Sequence, residues 1–143
     1  MPEPNQEDHH RVLIFENQPR QAGAYRELFA ARGFAAETAL PSEDVKAICQ
    51  RSRPEIVIFD MGFWEGDTAY VFGVLNEADG FERPVVIGLG TLPHQTRRAK
   101  RFGADAVWIR GVDDAVGLVQ MADDLLQRRR AGSLKPRIPT TPL

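Results

Sequence analysis

Polar or charged residues directly follow three apolar runs that are typical of buried strands. Glu16 and Asn17 follow "VLIF", Asp60 follows "IVIF", and Arg110 follows "AVWI". A carboxylate such as that of Asp60 can attack a phosphoryl group if a cation offsets the repulsion between the two anions. Two structural interpretations remain open. Asp60 could cap the following loop, and Arg110 could form an ion pair with Asp60 or with Glu16.

Five apolar runs alternate with five helical patterns along the chain. The predicted strands lie at 12–15, 34–40, 56–59, 84–89 and 106–110. The helical patterns begin at or just after Arg20, Ser42, Thr68, Thr96 and Asp113, with Ser42 and Asp113 as predicted N-caps. This alternation predicts a parallel sheet with helices on both faces. Ligands of such sheets bind beyond the carboxyl ends of the strands, so the polar residues above should converge at one edge.

Composition narrows the function classes. The chain has 143 residues, enough for one domain, and its net charge of -2 argues against binding of nucleic acid by bulk charge. A single cysteine, Cys49, excludes an intrachain disulfide and fits a reducing compartment. No apolar run approaches the roughly 20 residues of a membrane span, and the polar start does not resemble a secretory signal. We therefore expect a cytoplasmic protein.

Domain organisation follows from the same patterns. Residues 1–10 are polar and contain prolines, which predicts a flexible N-terminal tail. The alternating strands and helices predict one folded domain over 11–130. Residues 131–143 are rich in proline and basic side chains without periodicity, which predicts a disordered C-terminal tail.

The order and spacing of four motifs resemble the receiver domain of bacterial two-component response regulators, over roughly residues 11–128. The motifs are "RVLIFENQP", "PEIVIFDMGFWEG", "RPVVIGLGT" and "GADAVWIRGVD". The resemblance implies a flavodoxin-like (CheY-like), doubly wound α/β fold. Its five-stranded parallel sheet would have the order 2-1-3-4-5, with helices on both faces.

The resemblance also implies a role for each residue at the predicted edge. Asp60 matches the phosphoacceptor, and Glu16, Asn17, Asp60 and the backbone carbonyl of Gly62 match the Mg²⁺ ligands. Asn17 replaces an aspartate, which removes one formal charge, so we expect Mg²⁺ binding to be weak or absent. Arg110 replaces the lysine that pairs with the phosphoryl group, and it keeps the charge on a bulkier, planar side chain.

The residues that normally respond to phosphorylation are replaced. Leu89 stands at the Thr or Ser position and cannot donate a hydrogen bond. Val107 stands at the position of the aromatic switch residue, and the aromatic residue of this strand, Trp108, should lie on the opposite face. We therefore predict an atypical, non-enzymatic receiver with a degenerate switch that signals through protein–protein contacts.

The partner of such a domain would be a histidine kinase or an output protein. The predicted partner surface consists of Arg97, Arg98, Lys100, Arg101 and Trp108, although the basic residues could equally be a solvated helix face. A homodimer through the fourth helix, fifth strand and fifth helix would let Asp123 and Asp124 meet these arginines across a two-fold axis. Phe63 and Trp64 are either a lid packed on the domain or a partner contact.

Two other functions remain open. The first is a phosphorylation-independent dimerisation or interaction module. The second is a flavodoxin-like domain that binds a small ligand. The second is less favoured, because "ENQPRQAG" after the first strand lacks a glycine-rich phosphate loop.

Overall fold

The computed structural model describes residues 10–111 and 114–134 of the chain. Its strands are β1 (Arg11–Phe15), β2 (Ala35–Ala39), β3 (Ile56–Asp60), β4 (Val85–Gly90) and β5 (Ala106–Ile109). Its helices are α1 (Pro19–Ala31), α2 (Val45–Ser52), α3 (Glu65–Glu77), α4 (Pro93–Phe102) and α5 (Ala115–Arg130). All strand pairs are parallel, in the order β2-β1-β3-β4-β5. The predicted fold class and strand order are confirmed.

The core consists of two apolar layers, one on each face of the sheet. Successive side chains of a strand point to opposite faces, so the continuous apolar runs of β1, β3 and β4 supply both layers. One layer packs under α2, α3 and α4, where Phe59 lies 5.4–5.6 Å from the rings of Phe15, Phe63 and Phe72. The other packs under α1 and α5 and contains Trp108.

Helix α2 begins later than the sequence pattern indicates. Its N-cap is Asp44, whose carboxylate accepts a hydrogen bond of 3.1 Å from the backbone N–H of Ala47. The predicted cap, Ser42, lies inside a preceding turn. This turn is closed by two hydrogen bonds between Leu40 and Glu43, one through the Glu43 carboxylate and one through its backbone N–H.

Helices α3 and α4 each begin three residues before their predicted starts at Thr68 and Thr96. Pro93 opens α4, because its fixed φ suits the first helical position and its missing N–H would be unpaired there anyway. The Gln95 side chain accepts hydrogen bonds from the two N–H groups that precede this proline. Helix α5 is capped by Asp114, and the predicted cap Asp113 lies outside the described residues.

Two glycines set how closely helices approach the sheet. A Cβ added at Gly88 of β4 would lie 2.6 Å from the Cβ of Ala99, so α4 packs directly on the strand backbone. A Cβ at Gly117 of α5 would lie 2.8 Å from the ring of Trp108. Trp108 is buried between β5 and α5, as expected for the face opposite Val107. Its predicted place on the partner surface is therefore wrong, because its ring packs inside the domain.

A buried ion pair joins α3, α4 and β4 at the edge of the sheet opposite the predicted site. Arg83 donates to the carboxylate of Asp105 at 3.1 Å, to the carbonyl of Gly103 at 2.7 Å and to Asn76 at 3.2 Å. The same Asp105 oxygen accepts from the backbone N–H of Val86 at 2.8 Å. The Asp105 side chain is 2% exposed, so this network satisfies a carboxylate that has almost no access to water.

The two predicted tails lie mostly outside the described residues. At the N-terminus only His10 is described, with its ring 5.6 Å from that of Phe34. Residues 131–134 form a turn after α5, and Leu134 packs against the apolar layer beneath that helix. Within residues 10–111 and 114–134, no helix has the length and apolar composition needed to cross a membrane.

Candidate functional site

Glu16, Asp60 and Arg110 meet at the carboxyl edge of the sheet. Glu16 follows β1, Asp60 ends β3, and Arg110 follows β5, where its backbone N–H donates to the carbonyl of Gly90 at 2.9 Å. Both carboxylate residues are buried, with Glu16 2% and Asp60 6% exposed. These are the residues that the sequence pattern predicted to converge, and the sheet brings them together.

Backbone N–H groups orient the carboxylate of Asp60. Its Oδ1 accepts from the backbone of Gly62 at 2.9 Å, and its Oδ2 accepts from the backbone of Asn17 at 3.3 Å. A Cβ added at Gly62 would lie 3.1 Å from Oδ1, because the side chain folds back over this residue. The two backbone donors therefore fix the orientation of the Asp60 side chain.

Glu16 forms an ion pair with Arg110 through its Oε1, while its Oε2 accepts from the backbone N–H of Gln18 at 3.1 Å. Its side chain is fully buried. Burial, together with the neighbouring carboxylate of Asp60, raises the pKa of Glu16 to about 7. The guanidinium of Arg110 opposes this shift, although its effect is smaller than that of burial.

Arg110 places a cation between the two carboxylates. Its Nη2 contacts Glu16 and lies 3.7 Å from Oδ1 of Asp60. Its guanidinium carbon lies 5.8 Å from the centroid of the Tyr25 ring on α1, an arrangement typical of a cation–π contact. Its Nε is buried and has no acceptor among the described residues. The guanidinium thus lies close to an aromatic ring and to two carboxylates.

The remaining predicted site residues surround this cluster in different ways. Asn17 and Gly62 are exposed and contact Asp60 through their backbone N–H groups. Leu89 is fully buried and pairs with Asp60 in the register of β3 and β4. Val107 is half-buried against the apolar layer under α2, α3 and α4. In residues 10–111 and 114–134, no three His, Cys, Asp or Glu side chains group together as metal donors.

The other predicted contact residues differ in exposure. Phe63 packs on Phe59 with 5.4 Å between ring centroids, whereas Trp64 is 74% exposed. Of the two interpretations of this loop, the lid fits Phe63, and Trp64 remains available for a contact. The basic residues of α4 lie on its outer side, with Arg98 half-buried and the others exposed: Arg97, Lys100 and Arg101.

No protein-family model and no curated protein matches the chain. Solved structures do match. The receiver domain of a signal-transduction histidine kinase from Syntrophus aciditrophicus is 22% identical, with a TM-score of 0.72 over 94% of this chain and 98% of that chain. The chemotaxis protein CheY4 of Vibrio cholerae is 18% identical, with a TM-score of 0.66 over 81% of this chain and 98% of that one.

A third match is an atypical orphan response regulator, described as having a new phosphorylation-independent regulatory mechanism. It is 18% identical, with a TM-score of 0.65 over 82% of this chain and 95% of that chain. These matches agree with the strand order of the sheet. The chain therefore has the fold of the receiver domains of response regulators.

Proposed function

We propose that the chain is a signal-transduction domain of the receiver type, which acts through contacts with other proteins and whose acidic site is neutralised from within. The observation that carries this proposal is the position of the Arg110 guanidinium, which contacts Glu16 and lies 3.7 Å from Asp60. In this proposal Arg110 supplies the positive charge that a metal ion would otherwise bring to the two carboxylates.

Asp60 stands at the phosphoacceptor position, and its surroundings support only part of that role. An aspartyl phosphate here would find the N–H groups of Asn17 and Gly62 and the guanidinium of Arg110 nearby, all of which favour an anion. It would find no hydroxyl at position 89, because Leu89 is apolar and fully buried. Phosphorylation would therefore have no hydroxyl through which to move this part of β4.

The donors around Asp60 do not fit a Mg²⁺ ion in the arrangement seen. Mg²⁺ requires six oxygen ligands in near-ideal octahedral geometry. Here the oxygens of Glu16 are bonded to Arg110 and to a backbone N–H, and those of Asp60 accept from two backbone N–H groups. The remaining candidates, an exposed amide and one backbone carbonyl, bring no charge. This supports weak or absent binding of Mg²⁺.

A phosphorylation-independent interaction module is the second candidate. The internal neutralisation by Arg110 favours it, since the cluster is balanced without an added ion. The similarity to the orphan regulator described above is consistent with it. The partner in either case would be a histidine kinase, an output protein or a second copy. Ile109 and Val116, 37% and 36% exposed, add apolar area to the predicted surface of α4, β5 and α5.

Intact-mass measurement after incubation with acetyl phosphate, with and without Mg²⁺, tests the proposal. Asp60→Asn is the matched control, because it removes the nucleophile and nearly preserves the shape. A gain of one phosphoryl group that disappears in the control supports a receiver that still accepts phosphate. Absence of a gain supports the phosphorylation-independent module. A strictly Mg²⁺-dependent gain, together with saturable Mg²⁺ binding to the unmodified protein, would contradict internal neutralisation by Arg110.

A further inference from the structure

Strand β2 forms one edge of the sheet, and its outer side is open. The strand pairs with β1 over Ala35–Ala39 without a bulge, and no other described strand pairs with it. The backbone N–H of Ala35 donates to the carbonyl of His10, on the side of β1, at 2.7 Å. The backbone groups of a strand alternate in direction, so those of Ala36 and Thr38 point away from β1. A further strand could pair with them there.

This edge lacks the features that usually keep an exposed strand from pairing. Its sequence, "AAETA", contains no proline and no lysine. Its one charged residue, Glu37, is already paired with Arg51 of α2 at 2.8 Å. The side chains of Ala35 and Ala36 are small, and Ala35 is exposed. An incoming strand would therefore meet neither a bulky side chain nor an unpaired charge at the start of β2.

A basic groove of about 840 Å³ borders the amino end of this edge. Its walls come from the first residues of β1 and β2 and from the end of α2. Ala36 also lines it, although the Ala36 side chain packs with the apolar layer on the opposite face, so the groove reaches the backbone edge of β2. The charged residues of the lining are three arginines and one carboxylate, a net charge of +2: Arg11, Arg51, Arg53 and Glu37.

The three arginines differ in how far their charges are already used. Arg51 is paired with Glu37. The Nε of Arg11 donates to the backbone carbonyl of Arg53 at 2.9 Å, and its Nη2 lies 3.9 Å from Glu55. Among the described residues, the exposed guanidinium of Arg53 has no hydrogen-bond or ion-pair partner. Its charge is therefore available to an anionic group.

The backbone of Arg53 makes the choice of this residue unusual. Arg53 ends α2 with φ 46° and ψ 61°, a left-handed conformation that glycine adopts at much lower cost. An arginine at this position thus lowers the stability of the helix end, and within the described part of the chain its cation gains no partner in return. A partner outside the domain would account for it.

We propose that the edge of β2 and the adjoining basic groove bind an acidic peptide segment of a partner protein in extended conformation. The segment would add a strand to the five-stranded sheet through the backbone groups of Ala36 and Thr38. Alternate side chains of a strand point to one face, so carboxylates two residues apart would both reach the face that holds the groove. Arg53 would bind one of them, since a guanidinium forms paired hydrogen bonds with a carboxylate.

Other occupants satisfy only part of this surface. A small anion could pair with Arg53, but it would leave the backbone groups of Ala36 and Thr38 without partners. A second copy that pairs through β2, with Ala36 opposite Thr38, would place two Glu37 carboxylates opposite each other. An acidic strand supplies both the backbone groups and the charge.

The site lies at the amino end of the sheet, whereas Glu16, Asp60 and Arg110 meet at its carboxyl edge. It also includes no residue of the predicted surface of α4, β5 and α5. Its success or failure is therefore separate from that of the proposed function.

Fluorescence anisotropy with the labelled peptide TETETET, blocked at both ends, tests the proposal. We expect saturable binding to the full chain that weakens at least about fivefold between about 0.05 M and about 0.5 M NaCl, because exposed charges are screened. The peptide TKTKTKT should not bind. Hydrogen exchange measured by NMR should slow at the backbone amides of Ala36 and Thr38 when TETETET binds.

Arg53→Gly should weaken binding of TETETET by at least about threefold. Glycine suits the left-handed backbone, so this variant should be at least as stable as the unmodified protein, and thermal unfolding verifies that it is folded. Arg128→Ala is the matched control, because it removes an exposed arginine from the last turn of α5. It should leave the affinity unchanged.

N-methylation of the peptide separates strand addition from simple attraction between charges. Methyl groups on alternate amides block the hydrogen bonds of one side of a strand and keep every charge. One alternate set should abolish binding, and the other set should reduce it far less. Equally strong binding of both methylated peptides would overturn the proposal. Absence of saturable binding in low salt would do the same, as would an affinity that Arg53→Gly leaves unchanged.

Discussion

Arg110 and Glu16, 94 residues apart in the sequence, form an ion pair that spans the carboxyl edge of the sheet. Glu16 follows β1 and Arg110 follows β5, and the two strands between them are β3 and β4. The guanidinium reaches across this edge and passes Asp60 at 3.7 Å. The pair therefore joins distant strands and balances charge at the same point.

Arg110→Ala should lower the free energy of unfolding by about 2 kcal/mol at neutral pH. It leaves two buried carboxylates without their cation, and an uncompensated buried charge is costly. It should also create a response to Mg²⁺, so that millimolar Mg²⁺ raises the melting temperature of the variant more than that of the unmodified protein. Thermal unfolding in matched ionic strength, with Na⁺ as the control cation, measures both effects. Equal Mg²⁺ responses in the two proteins would show that Arg110 does not substitute for a metal.

Glu16 should make the protein less stable as the pH rises from about 5 to about 8. Burial raises its pKa from 4.5 to about 7, so between these values the folded state binds a proton that the unfolded state has released. The contribution of protonated Glu16 to the free energy of unfolding is present at low pH and is lost as the pH passes through 7. We expect an effect on the order of 1 kcal/mol.

Urea unfolding of Glu16→Gln at several pH values checks this prediction. The amide resembles the protonated acid and cannot titrate, so this variant should lack that part of the pH dependence. All other titratable groups are common to both proteins, so the difference between the two curves isolates Glu16. Parallel curves would be inconsistent with a raised pKa at this residue.

The buried Arg83 network should matter far more to stability than an exposed ion pair. Arg83→Ala removes several hydrogen bonds and leaves the carboxylate of Asp105 buried without its cation, which should cost about 2–4 kcal/mol. Arg51→Ala is the control, because Arg51 and Glu37 pair at 2.8 Å but are 65% and 38% exposed, so solvent screens the pair and its loss should cost far less stability. Urea unfolding measures the loss of stability in both variants. Similar losses would contradict a dominant role of the Arg83 network.

Two glycine substitutions should act in opposite directions. Gly88→Ala should destabilise the fold by about 1–3 kcal/mol, because the new methyl group would meet Ala99 at 2.6 Å. Gly73→Ala on α3 has no atom within 4 Å of the new Cβ and should stabilise the helix by up to about 1 kcal/mol. Thermal unfolding at low protein concentration measures the stability change of each variant. If Gly73→Ala destabilises the protein, the space around a Cβ at this position is not open.

The two tryptophans should differ sharply in accessibility. Trp64 is 74% exposed and Trp108 is 7% exposed. In the monomer, acrylamide should quench most of the red-shifted emission, and Trp64→Phe should leave a blue-shifted emission that resists quenching. The corresponding Trp108→Phe variant provides the comparison. Strong quenching of Trp64→Phe would contradict the burial of Trp108.

Much of the fold could be predicted because its strongest signals are local. The continuous apolar runs of β1, β3 and β4 require cover on both faces, and this requirement leads to a layered α/β architecture. The convergence of Glu16, Asp60 and Arg110 follows from the same rule, since parallel strands end at one edge. The strand order itself came from the resemblance, because apolar patterning does not specify which strands are neighbours.

Other features depend on contacts that the sequence pattern does not carry. The Arg83–Asp105 pair connects two loops 22 residues apart, and neither residue belongs to an apolar period. The sequence pattern predicts Trp108 on the partner surface, whereas α5 covers the face of β5 on which its ring lies. Gly117 was the available signal, since a glycine inside a helical pattern often marks a close approach. Helix α3 begins before its apolar period does, because its first turn holds the polar residues Glu65 and Asp67.

The contact between Gly88 and Ala99 leaves space for a single methyl group between a strand and a helix. Substitutions at positions 88 and 99 should therefore be coupled in evolution. A related chain with alanine at position 88 requires glycine at position 99, unless α4 lies farther from the sheet. We therefore expect alanine at one of these positions only where glycine occupies the other.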